Sequence, residues 1–324
     1  MTIRSLLSIL ADGQFHSGQE LGAELKVSRS AIWKQMRKLE DFGIEIYSVK
    51  GRGYRLPGGL DLLDEERFRQ ELDDVVGTQL SGQCFELSIP STNMLAMQQL
   101  HQNGGHGRLY VAEQQTAGRG RRGRHWVSPF ARNLYFSLVW RFPQGAASLE
   151  GLSLAVGLGL VRGLRRLGLE GAELKWPNDL LWQGRKLAGI LLEMNGEASG
   201  DCQVVSGVGL NIAMPDELAA DIGQPWVDLR QICGQTPSRT EVLAALVNEL
   251  VPVMEAFSRD GFEPFRDEWH ALDAYRDQRV SLSFGLNAVE GVCRGVSESG
   301  ALMLETASGV ESFHGGEVSL RRLS

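Results

Sequence analysis

The sequence is poor in the residues that build metal sites and cross-links. Its four cysteines, at 84, 202, 233 and 293, form no CxxC pair, and its six histidines form no HExxH. Neither a zinc site nor a disulfide framework is therefore expected, and a reducing cytoplasm fits best. Long apolar runs are missing too. The longest, Leu152 to Val161, ends at Arg162 and is too short to span a bilayer. The start, MTIRSLLSILADGQF, lacks a basic n-region, an extended apolar core and a cleavage signature, so no export signal is expected. Lysine is scarce: six against 27 arginines, and after Lys50 only Lys175 and Lys186. The net charge of −7 taken alone argues against a general nucleic-acid coat protein. What is present is ordinary globular material: 324 residues, 43% hydrophobic and 23% charged, which is long enough for two or three domains and excludes a fibrous or largely disordered chain.

The net charge hides a segregation. Residues 1–60 carry nine basic and six acidic side chains, a balance of +3 that leaves −10 for the rest and points to an anionic partner for the first segment. Ile3, Leu6, Leu7 and Leu10 repeat at helical spacing. Ser17-Gly18-Gln19-Glu20 is a capping box for a second helix. After a turn at Lys26-Val27, Ser28 can cap a third, with Ile32, Met36 and Leu39 as its buried stripe and a stop at Gly43. Its other face shows Arg29, Ser30, Trp33, Lys34, Gln35 and Lys38. Strand-like residues around Ile44–Val49 and Tyr54–Leu56 flank a basic turn, Lys50-Gly51-Arg52-Gly53. The pattern predicts a winged helix-turn-helix that binds DNA through the third helix, with Ser28, Lys50 and Arg52 as further contacts. One such module reads few base pairs, so a homodimer on two half-sites of an operator is expected.

Leu56-Pro57-Gly58-Gly59 reads as a linker. Beyond it, strand and helix signals alternate, predicting an α/β domain over 61–272. Ser153 to Leu167 is a Gly/Ala-rich helix that must pack closely on something. Three motifs in this region carry chemistry. Gly118-Arg119-Gly120-Arg121-Arg122-Gly123-Arg124, followed by His125-Trp126, combines glycines that admit close anion approach with fixed cations suited to phosphate and carboxylate. It is neither a Walker loop nor a dinucleotide fingerprint. Lys175-Trp176-Pro177-Asn178-Asp179, with Arg185-Lys186-Leu187-Ala188-Gly189 after it, sets two lysines beside one turn; in an arginine-favouring chain this suggests that a compact ammonium is wanted there. Ser91-Thr92-Asn93 opens a helix and can cap it or bind a polar ligand group, and Gly207-Val208-Gly209-Leu210-Asn211 ends a strand on an amide. Residues 273–324 hold short strands at Val280–Phe284, Ala301–Leu304, Ser312–Phe313 and Val318–Leu320, with a turn at Gly285-Leu286-Asn287, and read as a small β-barrel.

Taken together these motifs resemble the bifunctional biotin protein ligase and biotin-operon repressor family over nearly the whole chain. The resemblance implies an α+β multidomain protein: a winged helix-turn-helix (1–60), a class II synthetase-like ligase domain with a mixed α/β core (61–272) and an SH3-like barrel (273–324). It implies that biotin and ATP give biotinyl-5′-AMP and pyrophosphate, and that a lysine of the biotin carboxyl carrier protein of acetyl-CoA carboxylase then takes the biotin and releases AMP. Ser91, Thr92, Asn93, Gln115, Arg119, Gly120, Arg121 and Lys186 would contact biotin or its activated carboxyl. Gly118, Arg121, Arg124, Trp126, Asn178, Lys186 and Asn211 would surround the nucleotide. Lys186, Arg119 and Arg121 would offset charge repulsion in the first step, and Asp179 would orient the acceptor amine or take its proton. Mg²⁺ would bridge the ATP phosphates with few protein ligands. Glu317 and Arg321 match family positions in the tail, with no catalytic role assigned. The adenylate-bound form would dimerise and repress biotin synthesis genes, switched by ordering of the 118–124 loop or of a second loop at 213–225. Two other readings compete: a lipoate or octanoate ligase or transferase sharing the catalytic fold, and a non-enzymatic repressor that only senses an effector.

Overall fold

The computed structural model describes residues 3–103, 105–196, 200–285, 287–315 and 318–323. Leu286 and Glu317 lie outside the described residues.

The first module is built from α1 (Ile3–Leu10), α2 (Gly18–Glu24), α3 (Arg29–Glu40) and a hairpin of β1 (Tyr47–Val49) and β2 (Gly53–Arg55). Ser17 forms the full capping box with Glu20 at the start of α2. The Ser28 hydroxyl accepts from Ala31 N and starts α3. Leu6, Leu7, Leu10, Leu21, Ile32, Met36 and Leu39 close a small core, each worth about 1.5–3 kcal/mol relative to exposure. Leu56-Pro57-Gly58-Gly59 is not a free tether: Leu56 is buried, and Leu60 N donates to Ala11 O. The chain leaves the module through residues 60–64 instead. There Arg239, itself buried, donates to Asp61 O and Asn133 O and pairs with the buried Glu113 carboxylate. An ion pair this deep is tolerated because both partners gain further hydrogen bonds, Leu63 N donating to the other Glu113 oxygen.

The central domain begins with α4 (Glu65–Gln70) and α5 (Asp74–Gln79). Its sheet contains β3 (Gly82–Ile89), β4 (Arg108–Gln115), β5 (Leu134–Phe142), β6 (Ala172–Lys175), β7 (Asp179–Trp182), β8 (Arg185–Gly196) and β9 (Cys202–Leu210), in the order β3-β4-β5-β9-β8-β7-β6. Only β3 and β4 run parallel; every other neighbouring pair is antiparallel. One face carries α6 (Thr92–Asn103). The other carries α7 (Leu152–Arg166), backed by α9 (Arg239–Asp260), with α8 (Leu229–Cys233) and α10 (Arg266–Leu272) alongside. The glycines of α7 explain its close packing: a Cβ on Gly163 would stand 2.7 Å from Leu246 Cα of α9, and one on Gly159 3.3 Å from Leu250 Cα.

The last module is one antiparallel sheet of β10 (Arg279–Phe284), β11 (Asn287–Val296), β12 (Leu302–Thr306), β13 (Gly309–Phe313) and β14 (Val318–Arg322), in the order β13-β12-β11-β10-β14. Among the described residues the end strands β13 and β14 do not pair, so the small barrel expected of this module takes the form of an open five-stranded sheet. Several contacts fix it to the central domain: Trp176, buried within the KWPND turn, donates its indole N–H to Gly300 O, Ala274 N donates to Leu174 O of β6, and Val296 N donates to the His270 ring of α10.

Candidate active site and nucleic-acid interface

A cavity of about 840 Å³ opens where α6, the sheet, the 118–126 segment and the last module meet. Ser91, Thr92, Asn93, Gln115, Arg119, Gly120, Arg121, Arg124, Trp126, Asn178, Asp179, Lys186 and Asn211, scattered over 120 positions of sequence, all line it.

One end is neutral and polar. Ser91 caps α6, and Thr92 and Asn93 follow on its first turn, all three buried. The Gln115 side-chain oxygen accepts from Thr92 N (2.9 Å) and from the Thr92 hydroxyl (3.2 Å). Ser137 of β5, wholly buried, has its hydroxyl 2.7 Å from Thr92 Oγ1 and 2.6 Å from Asn93 Oδ1. The Asn93 amide donates to Leu191 O and, at 2.8 Å, to Glu193. Such a chain of donors and acceptors, ending on the Glu193 carboxylate, fixes the orientation of both amides. The floor is bare: a Cβ on Gly207 would stand 2.1 Å from Asn93 Oδ1, and one on Gly209 2.4 Å from the Trp126 ring.

The middle is cationic. The β6–β7 hairpin tip and the start of β8 bring Lys175 and Lys186 onto Asp179, with Lys186 Nζ 2.6 Å from one carboxyl oxygen and Lys175 Nζ 3.3 Å from the other. Burial works to raise the Asp179 pKa, but the two ammonium groups outweigh it and hold the carboxyl below its ordinary value. Lys186 Nζ also stands 5.5 Å from the Trp126 ring centroid, within cation–π range.

The arginine loop folds back on itself. Gly120 N donates to Arg124 O, Trp126 N donates to Gly118 O, and Arg122 takes the left-handed conformation (φ 60°). Arg121 reaches across to donate to Asn178 Oδ1 at 3.0 Å, while Asn178 donates to Ile190 O. Burial depresses the Arg121 pKa and the charge of Asp179 counteracts it. The guanidinium stays protonated, so an arriving anion meets a cation already partly stripped of water. Arg119 pairs with Glu193 at 3.4 Å. Gly118 is the one predicted site residue that does not line the cavity. It is buried behind the loop, where a Cβ would stand 2.7 Å from Trp126 O. Its glycine serves close chain packing rather than ligand approach.

Asn211 spends its amide donors on Lys186 O and Val227 O. The second loop is tied to the same strand, since Lys186 N donates to Pro225 O and Val227 N to Lys186 O. Tyr275 and residues 318–321 complete the wall from the last module.

On the first module, Arg29, Ser30, Trp33, Lys34, Lys38, Lys50 and Arg52 are exposed. Ser28 is occupied as the helix cap, and Gln35 is turned inward with its amide oxygen enclosed. Arg37, absent from the predicted set, is exposed and has its guanidinium carbon 5.4 Å from the Trp33 ring centroid.

With this geometry established, comparison with known proteins is decisive. Residues 2–55 match an HTH domain, 86–211 the Biotin/lipoate A/B protein ligase family, and 277–321 the Biotin protein ligase C terminal domain. The chain is 42% identical to the Bifunctional ligase/repressor BirA of Salmonella typhimurium, over 98% of this chain and 97% of that protein. It belongs to the bifunctional biotin ligase/repressor family. Within the family, the BirA of Escherichia coli is 39% identical over 98% of this chain and 96% of its own length. Among solved structures, the biotin protein ligase from Aquifex aeolicus in complex with biotin and ATP aligns with a TM-score of 0.65 and 29% identity, covering 75% of this chain and all of that one. The family membership agrees with the resemblance drawn from the motifs.

Three side chains of the site escaped the sequence reading. Ser137 sits in an apolar strand, where a lone serine carries no signal. Glu193 lies seven residues after Lys186 in an alternating strand and reads as a solvated position. Tyr275 belongs to a segment that only the pairing with β6 brings to the cavity.

Proposed function

We propose that the chain is an ATP-dependent biotin–protein ligase that also represses transcription through its first module. One observation carries the enzymatic reading. A neutral hydrogen-bonding pocket (Ser91, Thr92, Asn93, Gln115) and a nucleotide wall (Trp126, Asn211) are joined in one cavity by Lys186, Arg119 and Arg121. A carboxylate held in the pocket end would reach an α-phosphate beside these cations, where the repulsion of two anions needs them.

In the first step a carboxylate oxygen of biotin attacks the α-phosphorus of ATP, the bond to the β-phosphate bridge breaks, and pyrophosphate leaves. Lys186, Arg119 and Arg121 hold the two anions together, and Gly118, Gly120 and Arg124 shape the loop beside the phosphates. In the second step the acceptor lysine, as its neutral amine, attacks the acyl carbon through nitrogen, the C–O bond to AMP breaks, and the proton shed by the nitrogen passes to the departing AMP phosphate or to water. Asp179 is a poor store for the released proton because two lysines hold it ionised; its part is to orient the amine. Arg121, latched to Asn178, closes the loop over the intermediate and keeps water from it. Among the described residues no cluster of three acidic, His or Cys side chains is found, and both Asp179 oxygens are taken by lysines. Mg²⁺ would thus be held mainly by the triphosphate and water, adding positive charge there.

The polar pocket end favours biotin over lipoate. A urea offers donors and an acceptor to Ser91, Thr92, Asn93 and Gln115, whereas a dithiolane would displace water from this polar end without replacing its hydrogen bonds, at about 1–3 kcal/mol. The acceptor is taken to be a lysine of the biotin carboxyl carrier protein. The adenylate-bound form would act on operator DNA as a homodimer, with the 118–124 and 213–225 loops as the ligand-ordered elements. The chain divides into functional parts at 1–60, 61–272 and 273–324, and the cysteine usage suits a cytoplasmic location. No helix among the described residues is long and apolar enough to cross a membrane. Pyrophosphate release measured with biotin, with lipoate and with neither tests this reading. Biotin-dependent release supports it; release with lipoate only, or with neither substrate, refutes it.

A further inference from the structure

The recognition helix carries one feature that phosphate binding does not use. Trp33 is 51% exposed on α3, among the largest apolar surfaces left in water on this chain. One exposed indole alone needs no partner; its place on the outward side of the recognition helix, among cations, is what points to one. Around it stand Arg29, Lys34, Arg37 and Lys38 on the same helix, an environment that selects a polyanion over an apolar protein surface. Helical geometry sharpens the choice. Ile32, Met36 and Leu39 face the core. Ser30, Trp33, Lys34 and Arg37 therefore share the outward side, which is the side a recognition helix turns into the major groove.

In that groove the one apolar group among the base edges is the C5-methyl of thymine. Arg37, one turn on from Trp33, has its guanidinium carbon 5.4 Å from the indole centroid. The ring thereby restrains the arginine fork, whose preferred base partner is guanine O6 and N7.

We infer that Trp33 is a specificity-determining residue that reads a thymine methyl in each half-site, and that it holds Arg37 toward a neighbouring guanine. The inference rests on the DNA-binding reading of the first module and adds to it the base that is read. A lysine-only helix face would bind phosphate without preference. A tryptophan–arginine pair gives the same face an apolar contact and a bidentate donor.

The test uses the full chain with biotin and ATP present and a pool of random-sequence duplexes. Duplexes enriched by binding are then remade with each thymine replaced, one at a time, by deoxyuridine, which differs only by the methyl. Removing one contacted methyl is expected to weaken binding about fourfold. Trp33→Ala, at an exposed site that leaves the fold and biotin transfer intact, is expected to bind the thymine and uracil duplexes equally. Two outcomes overturn the inference: enriched duplexes that are insensitive to every thymine-to-uracil change, or a Trp33→Ala protein as sensitive as the parent. A pool with no enrichment would instead remove the DNA-binding reading itself, and the inference with it.

Discussion

Replacing Lys186 with alanine separates the chemistry from the fold. The Lys186 side chain is 15% exposed and its ammonium stands 2.6 Å from Asp179, so its removal has two consequences of different size. Adenylation loses one preorganised cation at the point where two anions meet, and such a loss costs about 10²–10³ in rate, or roughly 2.7–4 kcal/mol. Stability suffers less. Breaking a buried ion pair outright costs about 3–5 kcal/mol, but Lys175 remains 3.3 Å from the same carboxylate, so a loss of about 1–2 kcal/mol and a few degrees of melting temperature is expected. The double variant Lys186→Ala/Asp179→Asn removes the under-compensated charge as well. It should recover much of the stability and none of the adenylation rate. Single-turnover pyrophosphate release, run beside thermal melts of the parent and both variants, gives the two numbers. Near-normal release from Lys186→Ala would refute the reasoning, and so would a rate that returns together with stability in the double variant.

Three further perturbations bear on the site and its support. Arg121→Gly removes the link to Asn178, so activated biotin should escape and label proteins indiscriminately; unchanged retention and target selectivity would contradict the latch. Gly207→Ala puts a methyl 2.1 Å from Asn93 Oδ1 and must displace that amide, raising the KM for biotin about tenfold or more with overpacking of about 1–3 kcal/mol; an unchanged KM would show that Asn93 does not touch the ligand. Burial pushes the Asp273 carboxyl up to about 6. Because the folded value lies above the unfolded one, its stabilising contribution is full below about pH 4 and lost as pH rises through 6. Asp273→Asn should therefore be the more stable protein at pH 7.5, by at most about 3 kcal/mol, with a flatter melting profile between pH 5 and 7.5; identical profiles would exclude this source of pH dependence.

Much of this was legible in the sequence because it depends on local chemistry. Caps announce themselves within four residues, as Ser17 and Ser28 do. A loop of alternating arginine and glycine, or two lysines around one turn in a lysine-poor chain, stands out for the same reason. The illegible part depends on distant pairing. Glu113 and Arg239 meet across 126 positions, and no local pattern marks either as a partner in a buried ion pair. Ser137 acquires its role because β5 carries it under the first turn of α6. Gly118 belongs to a motif whose Gly120 and arginines line the cavity, yet chain packing turns it away. The linker expected at 56–59 folded onto the first module because Leu56 is as apolar as the core it joins.

The central claim is that one cavity joins a carboxylate to a nucleotide and keeps the product. Mass spectrometry of the protein after incubation with biotin and ATP addresses this directly, followed by addition of a biotin carboxyl carrier domain. The account predicts a protein-retained mass equal to biotinyl-5′-AMP, which disappears as the acceptor lysine gains biotin and AMP is released. Retention of unmodified biotin alone, with no adenylate formed and no acceptor modified, would contradict it.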